Sequence, residues 1–581
     1  MLKGIPVSPG IVIGKAFILD PEDIKIPRTT IEEADIPKEI ARFEDALTRT
    51  RAQILEIQER IGREMGAEHS DIFTAHVLVL EDRMLIEEVI RDLKTKRQAV
   101  EHIFMEVLKR YGNAFSKIDD EYLRERVSDI QDVGKRVLHN LIGSERFNLA
   151  NLNDEVVVFA YDLSPSDTAT MHRERVVGFA TDIGGRTSHT AIMARSLEIP
   201  AVVGLGDATQ KVQSDDPVIV DGNHGLVIIQ PDAPTLEKYI RARGRFEDFV
   251  RTLDKFKELP ARTTDGHEVT LAANIELPDE IPHCISHGAQ GIGLYRTEYF
   301  YMNRVDLPSE DEHFEAYRNV AEKVKPHPVI IRTLDLGGDK FLSSLEVPRE
   351  MNPFLGWRAI RFCLARPDIF KVQLRAILRA AVHGKLKLMY PMISGLEELR
   401  QANQILSEAK EALRREGKEF DEHIEVGAMI EIPSAALTAD VLAKESAFFS
   451  IGSNDLIQYS LAVDRVNEKI AYLYEPAHPA ILKLIKNVID AGHRNKIWVG
   501  MCGEMGGDPV LAVILLGLGL DEYSMSPVII PEIKKVIRSI SLKEAQEIAL
   551  KSLELTTGAQ IRSFVRERIK HILPEVLGEE G

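Results

Sequence analysis

Between residues 31 and 143 the chain alternates apolar and charged positions with the spacing of a helix. Apolar side chains recur three or four residues apart, as at Ile54, Ile57 and Ile61, so they lie on one face of each predicted helix. Glycine residues and an aspartate pair interrupt the pattern. About four amphipathic helices are therefore predicted, and they can bury their apolar faces by packing together as a small bundle.

Short runs rich in β-branched residues stand on both sides of this bundle. Gly, Pro and Asp separate them, which is typical of strands joined by turns. One α/β domain made of residues 1–30 and 144–231 is therefore predicted, with residues 31–143 inserted into it. Residues 232–260 have the pattern of one charged helix, which is predicted to link this domain to the rest of the chain.

Beyond Pro260, eight strand-like runs alternate with helical segments. Eight βα units over about 310 residues match the count and length of a (β/α)₈ barrel, the TIM barrel. Residues 261–581 are therefore predicted to form this barrel, as the last domain of an α/β multidomain chain. The runs are VTLAANIE (269–276), GIGLYRTE (291–298), VIIRTLD (329–335), LKLMYPM (386–392), EVGAMIE (425–431), FFSIGSND (448–455), IWVGMCGE (497–504) and EYSMSP (522–527).

Charge and composition narrow the class of partner. The formal net charge is −18, which disfavours nonspecific nucleic-acid binding and is compatible with a basic protein partner. No window offers the ~20 unbroken apolar residues of a membrane span, and Pro6, Pro9 and Gly10 interrupt the N-terminal segment where a signal peptide would be continuous. Three widely separated cysteines suit a reducing compartment. A cytoplasmic protein that binds neither nucleic acid nor membrane is expected.

Two arginines stand at the carboxyl ends of neighbouring predicted strands, where the active sites of such barrels lie. Arg296 and Arg332 can each donate paired hydrogen bonds to a doubly charged phosphate, and Arg358 and Arg465 can join them. The alternative for any one of these arginines is that it caps a carboxylate on the rim. Four converging arginines favour an anion site.

The other strand ends carry groups suited to a metal ion and to proton transfer. Glu431 and Asp455 are placed to share a hard cation such as Mg²⁺, which leaves positions for water and substrate oxygens. As structural residues they would instead pair with arginine. Cys502 lies between Gly500 and Gly503, where its thiol has room to face the cavity and donate a proton. The alternative is a cysteine buried as a small apolar residue.

A histidine begins a predicted helix in the α/β domain. Ser188, His189 and Thr190 follow Gly184 and Gly185, which allow a tight turn after a strand. A phosphoryl group on His189 would meet free backbone N–H groups and the positive end of the helix dipole. The alternative is a structural or merely exposed histidine, as most of the 17 histidines are expected to be.

The predicted barrel mouth and His189 explain each other if the phosphoryl donor is phosphoenolpyruvate. A phosphohistidine is a high-energy phosphoramidate and needs a donor of comparable transfer potential. Phosphoenolpyruvate offers a phosphate for the arginines and a carboxylate for the backbone of Asn454 and Asp455. Its enol carbon must be protonated once the phosphate has left, and Cys502 is predicted to supply that proton.

Six long motifs give the chain a close resemblance to Enzyme I of the bacterial phosphoenolpyruvate:sugar phosphotransferase system, over nearly its full length. They occur in the order found in that family: GGRTSHTAIMARSLEIPAVVG, GIGLYRTEYFY, RTLDLGGDK, MIEIPSAA, IGSNDLIQYSLAVDR and VGMCGEMGGDP. The resemblance implies a phosphoenolpyruvate-protein phosphotransferase that carries out the first step of the sugar phosphotransferase system and releases pyruvate.

The same resemblance implies roles for residues and domains. His189 would be phosphorylated on Nε2, in an N-terminal α/β domain that swivels between two sites. The inserted helical bundle would bind the phosphocarrier protein HPr, and the barrel would form a homodimer. Cys502 would be the proton donor and Mg²⁺ would lie on Glu431 and Asp455. The residues implied to hold phosphoenolpyruvate are Arg296, Arg332, Asn454, Asp455 and Arg465.

Two rival functions fit part of this pattern. A dikinase or phosphoenolpyruvate synthase resembles the chain in the histidine loop and the barrel, but it needs an ATP-binding domain, and no GxxxxGK[ST] loop occurs here. A regulatory protein that senses phosphoenolpyruvate would be expected to carry an additional sensor domain. Intact catalytic positions also favour the phosphotransferase over such a sensor.

Overall fold

The structure is a computed structural model, and its chain divides into two compact units, Met1–Asp248 and Phe249–Gly581. The division falls inside the helix Ala233–Asp254, within the segment predicted to be a linker. The structure describes residues 1–19, 29–64, 76–77, 79–116, 121–143, 152, 154–163, 175–185, 190, 194, 199–301, 306–336, 350–465, 467 and 469–570.

The first unit contains a mixed eight-stranded sheet. Its order is β1-β8-β7-β3-β4-β5-β6-β2, in which β3 to β6 run parallel and the remaining pairs are antiparallel. Two apolar clusters bury residues of these strands. The strands are β1 Leu2–Lys3, β2 Ile5–Ser8, β3 Ile11–Ile18, β4 Val156–Ala160, β5 Val176–Thr181, β6 Ala201–Val203, β7 Pro217–Asp221 and β8 Leu226–Ile229.

Four long helices lie between β3 and β4 along the described part of the chain. Their apolar stripes form one separate core, in which the rings of Phe43 and Phe104 are 5.4 Å apart. The Asp82 side chain begins the second helix by accepting hydrogen bonds from the N–H groups of Met84 and Leu85 at 2.8 and 3.2 Å. The helices are Ile36–Glu64, Arg83–Lys96, Val100–Ser116 and Glu121–Ile142.

The second unit contains a closed barrel of eight parallel strands, in which β16 pairs with β9. Each strand falls inside one of the eight predicted runs. The predicted fold class, an α/β chain with a TIM barrel after an N-terminal α/β region and helices, is confirmed. The strands are β9 Thr270–Ile275, β10 Ile292–Tyr295, β11 Val329–Arg332, β12 Leu386–Tyr390, β13 Glu425–Ile430, β14 Phe448–Ile451, β15 Trp498–Met501 and β16 Glu522–Met525.

Helices surround the barrel and bury its outer face in the largest apolar cluster. A smaller cluster takes Leu294, Ile330, Met389, Met429 and Phe448 from five consecutive strands. The helices of six or more residues are Ile281–Ser286, Glu310–Val324, Ala359–Ala365, Pro367–Ala380, Leu396–Glu416, Ser453–Leu461, Pro479–Arg494, Pro509–Leu518, Ile530–Arg538, Leu542–Glu554 and Gly558–Ile569. Across the described residues, none of the helices has the length and apolar character needed to cross a membrane.

Candidate active site

The predicted site residues of the barrel lie at the carboxyl ends of its strands. Arg332 ends β11 and Cys502 directly follows β15, while Asn454 and Asp455 belong to the first turn of the helix after β14. Because all eight strands are parallel, these positions open on one mouth of the barrel.

Two of the four predicted arginines share one carboxylate, that of Asp335. Arg332 contacts Asp335 Oδ2 at 2.9 Å, and Arg358 donates to Asp335 Oδ1 at 2.8 Å. Arg332 also donates to Glu298 Oε1 at 2.7 Å. Burial alone would lower the pKa of Arg332, but the carboxylates around it outweigh burial and raise that pKa. Both guanidiniums are therefore held in place as full positive charges.

Several polar atoms beside these arginines are buried and have no hydrogen-bond partner within the described ranges. They are Arg332 Nε, Thr333 Oγ1 and Ser453 Oγ. Buried polar groups are nearly always paired in folded proteins, so three such atoms at one mouth indicate a site built to receive the oxygen atoms of a ligand.

The other two arginines are more exposed and pair with carboxylates on the rim. Arg296 contacts Glu276, and Arg465 lies 3.6 Å from Glu504 Oε1. For Arg296 and Arg465 the structure therefore matches the alternative prediction, in which an arginine caps a carboxylate on the rim. Arg332 and Arg358, whose side chains are only 11% and 12% exposed, remain at the centre of the site.

The Glu431 carboxylate is buried, and its Oε1 accepts a hydrogen bond from Met392 N at 2.5 Å. Burial, followed by the negative charges of Asp455 and Asp335, raises the pKa of Glu431. A Cβ atom at Gly452 would lie only 2.6 Å from Glu431 Oε2, so glycine is needed at that position. Glu431 is held where other carboxylates oppose its charge, and Arg332 offsets only part of that effect. A bound cation would relieve the remaining repulsion.

Glu431 and Asp455 fit Mg²⁺ by their donor chemistry. Both offer hard carboxylate oxygens, and Mg²⁺ commonly takes one or two protein carboxylates together with water and substrate phosphate. Throughout the described part of the chain, no group of three or more His, Cys, Asp or Glu side chains is placed to hold a metal ion. These two residues therefore suit a cation that completes its coordination with substrate and water.

Cys502 is buried and keeps its proton. Burial raises the pKa of the Cys502 thiol to about 11, so the group is a neutral thiol near pH 7. Its backbone is fixed on both sides, because its N–H donates to Ile451 O at 3.1 Å and its carbonyl accepts from Asn274 Nδ2 at 2.9 Å. Asn274 is oriented in turn by Ser524, whose Oγ donates to Asn274 Oδ1 at 2.6 Å.

The glycines beside Cys502 make room for other groups. A Cβ atom at Gly503 would lie 1.9 Å from Ser453 Oγ, and one at Gly500 would lie 3.3 Å from the Glu522 Cβ. Gly503 therefore lets the helix after β14 begin close to the thiol. In the same region Asn454 Oδ1 accepts a hydrogen bond from Glu504 N at 3.0 Å.

His189 lies outside the described residues, and so do Arg186, Thr187 and Ser188. On either side of them the chain has the expected local features. Gly184 has a φ of 120°, a backbone conformation that favours glycine, and Thr190 Oγ1 donates to Leu163 O at 3.3 Å. Gly184 thus has a backbone conformation that a glycine turn can use, and both the turn and the role of His189 stay predictions.

Sequence reasoning missed three residues of this network, namely Glu298, Asp335 and Tyr459. Tyr459 donates to Phe354 O at 2.6 Å and accepts a long hydrogen bond from Arg358 at 3.4 Å. Glu298 and Asp335 each stand two or three residues after a strand-end arginine. For Asp335 that spacing was a readable signal, because a carboxylate three residues beyond an arginine can return to it. It gave no signal for Glu298, which pairs with Arg332 of the next strand and not with Arg296.

Comparison with known proteins gives one consistent family. Models described as "PEP-utilising enzyme, PEP-binding domain", "PEP-utilising enzyme, N-terminal" and "PEP-utilising enzyme, mobile domain" match residues 250–542, 3–126 and 152–225. A phosphoenolpyruvate-protein phosphotransferase of Bacillus sp. (strain S) is 49% identical over 97% of both chains. The enzyme of that name from Geobacillus stearothermophilus is 50% identical over 97% of both chains. The one from Bacillus subtilis (strain 168) is 47% identical over 98% of this chain and 100% of its own.

Proposed function

Because this chain belongs to the phosphoenolpyruvate-protein phosphotransferases, we propose that it transfers the phosphoryl group through His189 to a histidine of the phosphocarrier HPr. One observation supports binding of phosphoenolpyruvate by the barrel. Arg332 and Arg358 both pair with Asp335, beside buried polar atoms that have no hydrogen-bond partner among the described residues. That arrangement is suited to a small anion with several acceptor oxygens.

In the loading step, Arg332 and Arg358 bind the phosphate, and Arg296 and Arg465 add positive charge from the rim. The backbone of Asn454 and Asp455 orients the carboxylate of phosphoenolpyruvate. His189 Nε2 attacks phosphorus in line, so an N–P bond forms while the bond between phosphorus and the enol oxygen breaks. The arginines stabilise the charge that spreads over the transferring oxygens.

Cys502 completes the loading step as the acid. Its thiol gives a proton to the methylene carbon of enolpyruvate, and the product is pyruvate. The thiolate then regains a proton from water. A thiol with a pKa of about 11 is protonated in nearly every molecule before the step begins, which is the state that a proton donor requires.

Glu431 and Asp455 would hold Mg²⁺ in this proposal. The bound ion would supply positive charge to the phosphoryl oxygens. The hard oxygen donors and the mutual repulsion of the two carboxylates support this assignment.

In this proposal His189 must reach two sites, one for loading and one for unloading, and each site belongs to a different predicted domain. The barrel, residues 261–581, loads the histidine, and the bundle of residues 31–143 holds HPr for unloading. The α/β domain of residues 1–30 and 144–231 swivels between them, with residues 232–260 as the link.

The barrel is also proposed to form the homodimer. Exposed apolar side chains support this, since Met351 is 98% and Tyr472 80% exposed. Both lie close in sequence to residues that bond to the helix Ser453–Leu461. Near Met351, Phe354 O accepts a hydrogen bond from Tyr459, and near Tyr472, the Tyr474 hydroxyl donates to Asn454 O. Sedimentation of the Tyr472→Asp variant tests this face. The variant is predicted to sediment as a monomer.

The central test uses phosphoenolpyruvate labelled in its phosphate. In the presence of Mg²⁺ and without ATP, the protein is expected to gain acid-labile, base-stable phosphate and to lose it to added HPr. The His189→Ala variant should gain none, whereas His423→Ala, which changes an exposed histidine of the barrel, should label normally. Label that persists in His189→Ala would overturn the proposal, and a requirement for ATP would favour a dikinase.

A further inference from the structure

The opposite end of the barrel contains a cavity of about 370 Å³. Its lining comes from the amino ends of the strands, so it faces away from Cys502 and the arginines. All its residues belong to the second unit. In TIM barrels this end usually contributes stability rather than chemistry, so polar groups there need an explanation. The lining residues are Thr270, Gln290, His327, Pro328, Lys387, Trp498, Asp521 and Glu522.

One lining group is the carboxylate of Glu522, a buried residue whose side chain has no hydrogen-bond partner among the described residues. Glu522 begins β16 and is 8% exposed. It makes no hydrogen bond or ion pair to any group in the described ranges, and burial raises the pKa of its carboxyl to about 7. Buried carboxylates are normally paired because desolvation of the charge is costly, so this one is a candidate ligand-binding group.

A glycine on β10 leaves space for this carboxylate. A Cβ atom at Gly293 would lie 2.9 Å from Glu522 Oε1, and one at Gly500 would lie 3.4 Å from the same atom. Along β16 the side chains alternate, since the Tyr523 hydroxyl donates to Ala512 O of a surrounding helix while Glu522 and Ser524 face the interior. Gly293 therefore leaves room for the Ser524 side chain and for the Glu522 carboxylate that lines the cavity, whereas the distance at Gly500 is an ordinary contact.

The charges around the cavity leave it negative. Lys387 is its cation, but Lys387 Nζ is already paired with Glu425 at 2.8 Å and lies 4.6 Å from the centre of the Trp498 ring. Asp521 uses one oxygen to accept from Val499 N at 2.8 Å and to contact His493 Nε2 at 2.9 Å. The charge of Lys387 lowers the pKa of Glu522, but burial outweighs it and Asp521 opposes it. The Glu522 charge is therefore only partly compensated, and charge complementarity favours a cationic occupant.

A metal ion is a poor match for this cavity. No set of three or more metal-ligating side chains is found anywhere in the described ranges, and the volume is at the small end of the range for organic ligands. Trp498 also contributes an aromatic wall. Its ring stacks on the ring of Phe448, and the two ring centres are 4.6 Å apart. An organic cation can use both the aromatic wall and the carboxylate.

We propose that this cavity binds a small aliphatic amine in its ammonium form, with Glu522 as the paired carboxylate and Trp498 as the apolar wall. The site is independent of phosphoryl transfer at the other mouth. Occupation gives the Glu522 charge the partner that the described part of the protein does not provide.

The test uses the full chain and 1,4-diaminobutane as the probe. Calorimetric titration and the thermal midpoint of the barrel are measured at constant ionic strength, with butane-1,4-diol as the uncharged probe of equal length. We expect saturable binding and a raised midpoint with the diamine only. The effect should be absent in Glu522→Gln and unchanged in Glu419→Gln, which alters an exposed carboxylate of the same unit.

A second variant keeps the test decisive if Glu522→Gln folds poorly. Lys387→Met removes the cation that competes with the ligand, so the diamine should bind more tightly than to the unaltered protein. No binding to the unaltered protein, equal binding to Glu522→Gln, or weaker binding to Lys387→Met would each overturn the proposal. Equal binding of butane-1,4-diol would also overturn it, because the charge would then play no part.

Discussion

The two mouths of the barrel hold their charges in opposite ways. At the carboxyl ends of the strands, Asp335 is shared by Arg332 and Arg358, and Glu298 gives Arg332 a second partner. At the amino ends, Glu522 is as deeply buried as Asp335, each being 8% exposed, but it makes no hydrogen bond or ion pair with the described residues. One mouth is a set of charges fixed before any ligand arrives, and the other has a charge that lacks its counterpart.

The difference shows two ways to prepare a polar site in a dry interior. Paired charges carry only a small free-energy penalty for burial, and pairing holds the hydrogen-bond donors in one geometry. A ligand that enters therefore meets donors that are already oriented. An unpaired carboxylate destabilises the fold until it takes up a proton or a cation. The first arrangement suits fast turnover, and the second suits a molecule that stays bound.

The largest expected effect comes from removing a charge of the paired mouth. Arg332→Met should lower kcat/KM for phosphoenolpyruvate by about 10³-fold, the scale of losing an arginine that stabilises a transferring phosphoryl group. Pyruvate release measures it. Arg400→Met, which alters an exposed arginine paired with Glu445, is the matched control and should leave the rate unchanged. A loss below tenfold in Arg332→Met would remove the functional contrast between the mouths.

The next effect concerns the acid of the same mouth. Cys502→Ser should slow pyruvate release by about 10²-fold, because a hydroxyl is a much weaker acid than a thiol and general acids contribute on this scale. Cys284→Ser is the control, since burial also raises the pKa of that thiol, to about 12, but it lies away from the mouth in the main core. Equal rates in both serine variants would exclude Cys502 as the donor.

A smaller effect tests whether pairing itself positions the arginines. Asp335→Asn removes the negative charge between two guanidiniums, which then repel each other. KM for phosphoenolpyruvate should rise about tenfold, with a smaller change in kcat, as a loss of about 1.4 kcal/mol in substrate binding. Steady-state kinetics separate the two constants. The exposed change Asp440→Asn should alter neither, and a fall in KM would show that Asp335 competes with substrate.

The smallest effect on activity is expected at the unpaired mouth. Glu522→Gln should leave kcat/KM unchanged but alter the pH dependence of stability. The folded-state pKa of Glu522, about 7, exceeds its ordinary value of 4.5, so the folded state binds the extra proton between these pH values. Stability therefore falls as pH rises through this window, by on the order of 3 kcal/mol.

Thermal unfolding at pH 5 and pH 8 measures that dependence. The barrel midpoint of the unaltered protein should drop more between the two pH values than that of Glu522→Gln. The Glu419→Gln protein should behave like the unaltered one. Identical pH profiles for all three would mean that water or another group already satisfies Glu522.

The sequence predicted the barrel well because parallel barrel strands are buried and bounded by polar residues. All eight observed strands fall within the predicted runs, and the strand ends directed attention to Arg332, Glu431 and Cys502. The family was also predicted correctly, since its motifs are long and specific. The bounds of the domains, by contrast, stay a prediction, and the division at Asp248 and Phe249 falls inside a helix.

The pairing of charges was not predictable in the same way. Strand patterning gives the end of the barrel at which a side chain lies, but Glu298 becomes a partner of Arg332, on the next strand, through a loop whose path the pattern does not specify. Glu522 was missed for another reason. It alternates with Tyr523 in EYSM so that the polar side chain faces inward, whereas strands buried on both faces are usually apolar throughout.

The burial of Cys502 also determines how the protein meets oxidants. Peroxides react with the thiolate, and so do electrophiles that alkylate cysteine. A thiol with a pKa of about 11 exposes almost none of that form at rest. In the proposed cycle, the vulnerable thiolate exists only between delivery of the proton to enolpyruvate and its return from water. Damage to sulfenic acid should therefore accumulate with the number of turnovers rather than with elapsed time.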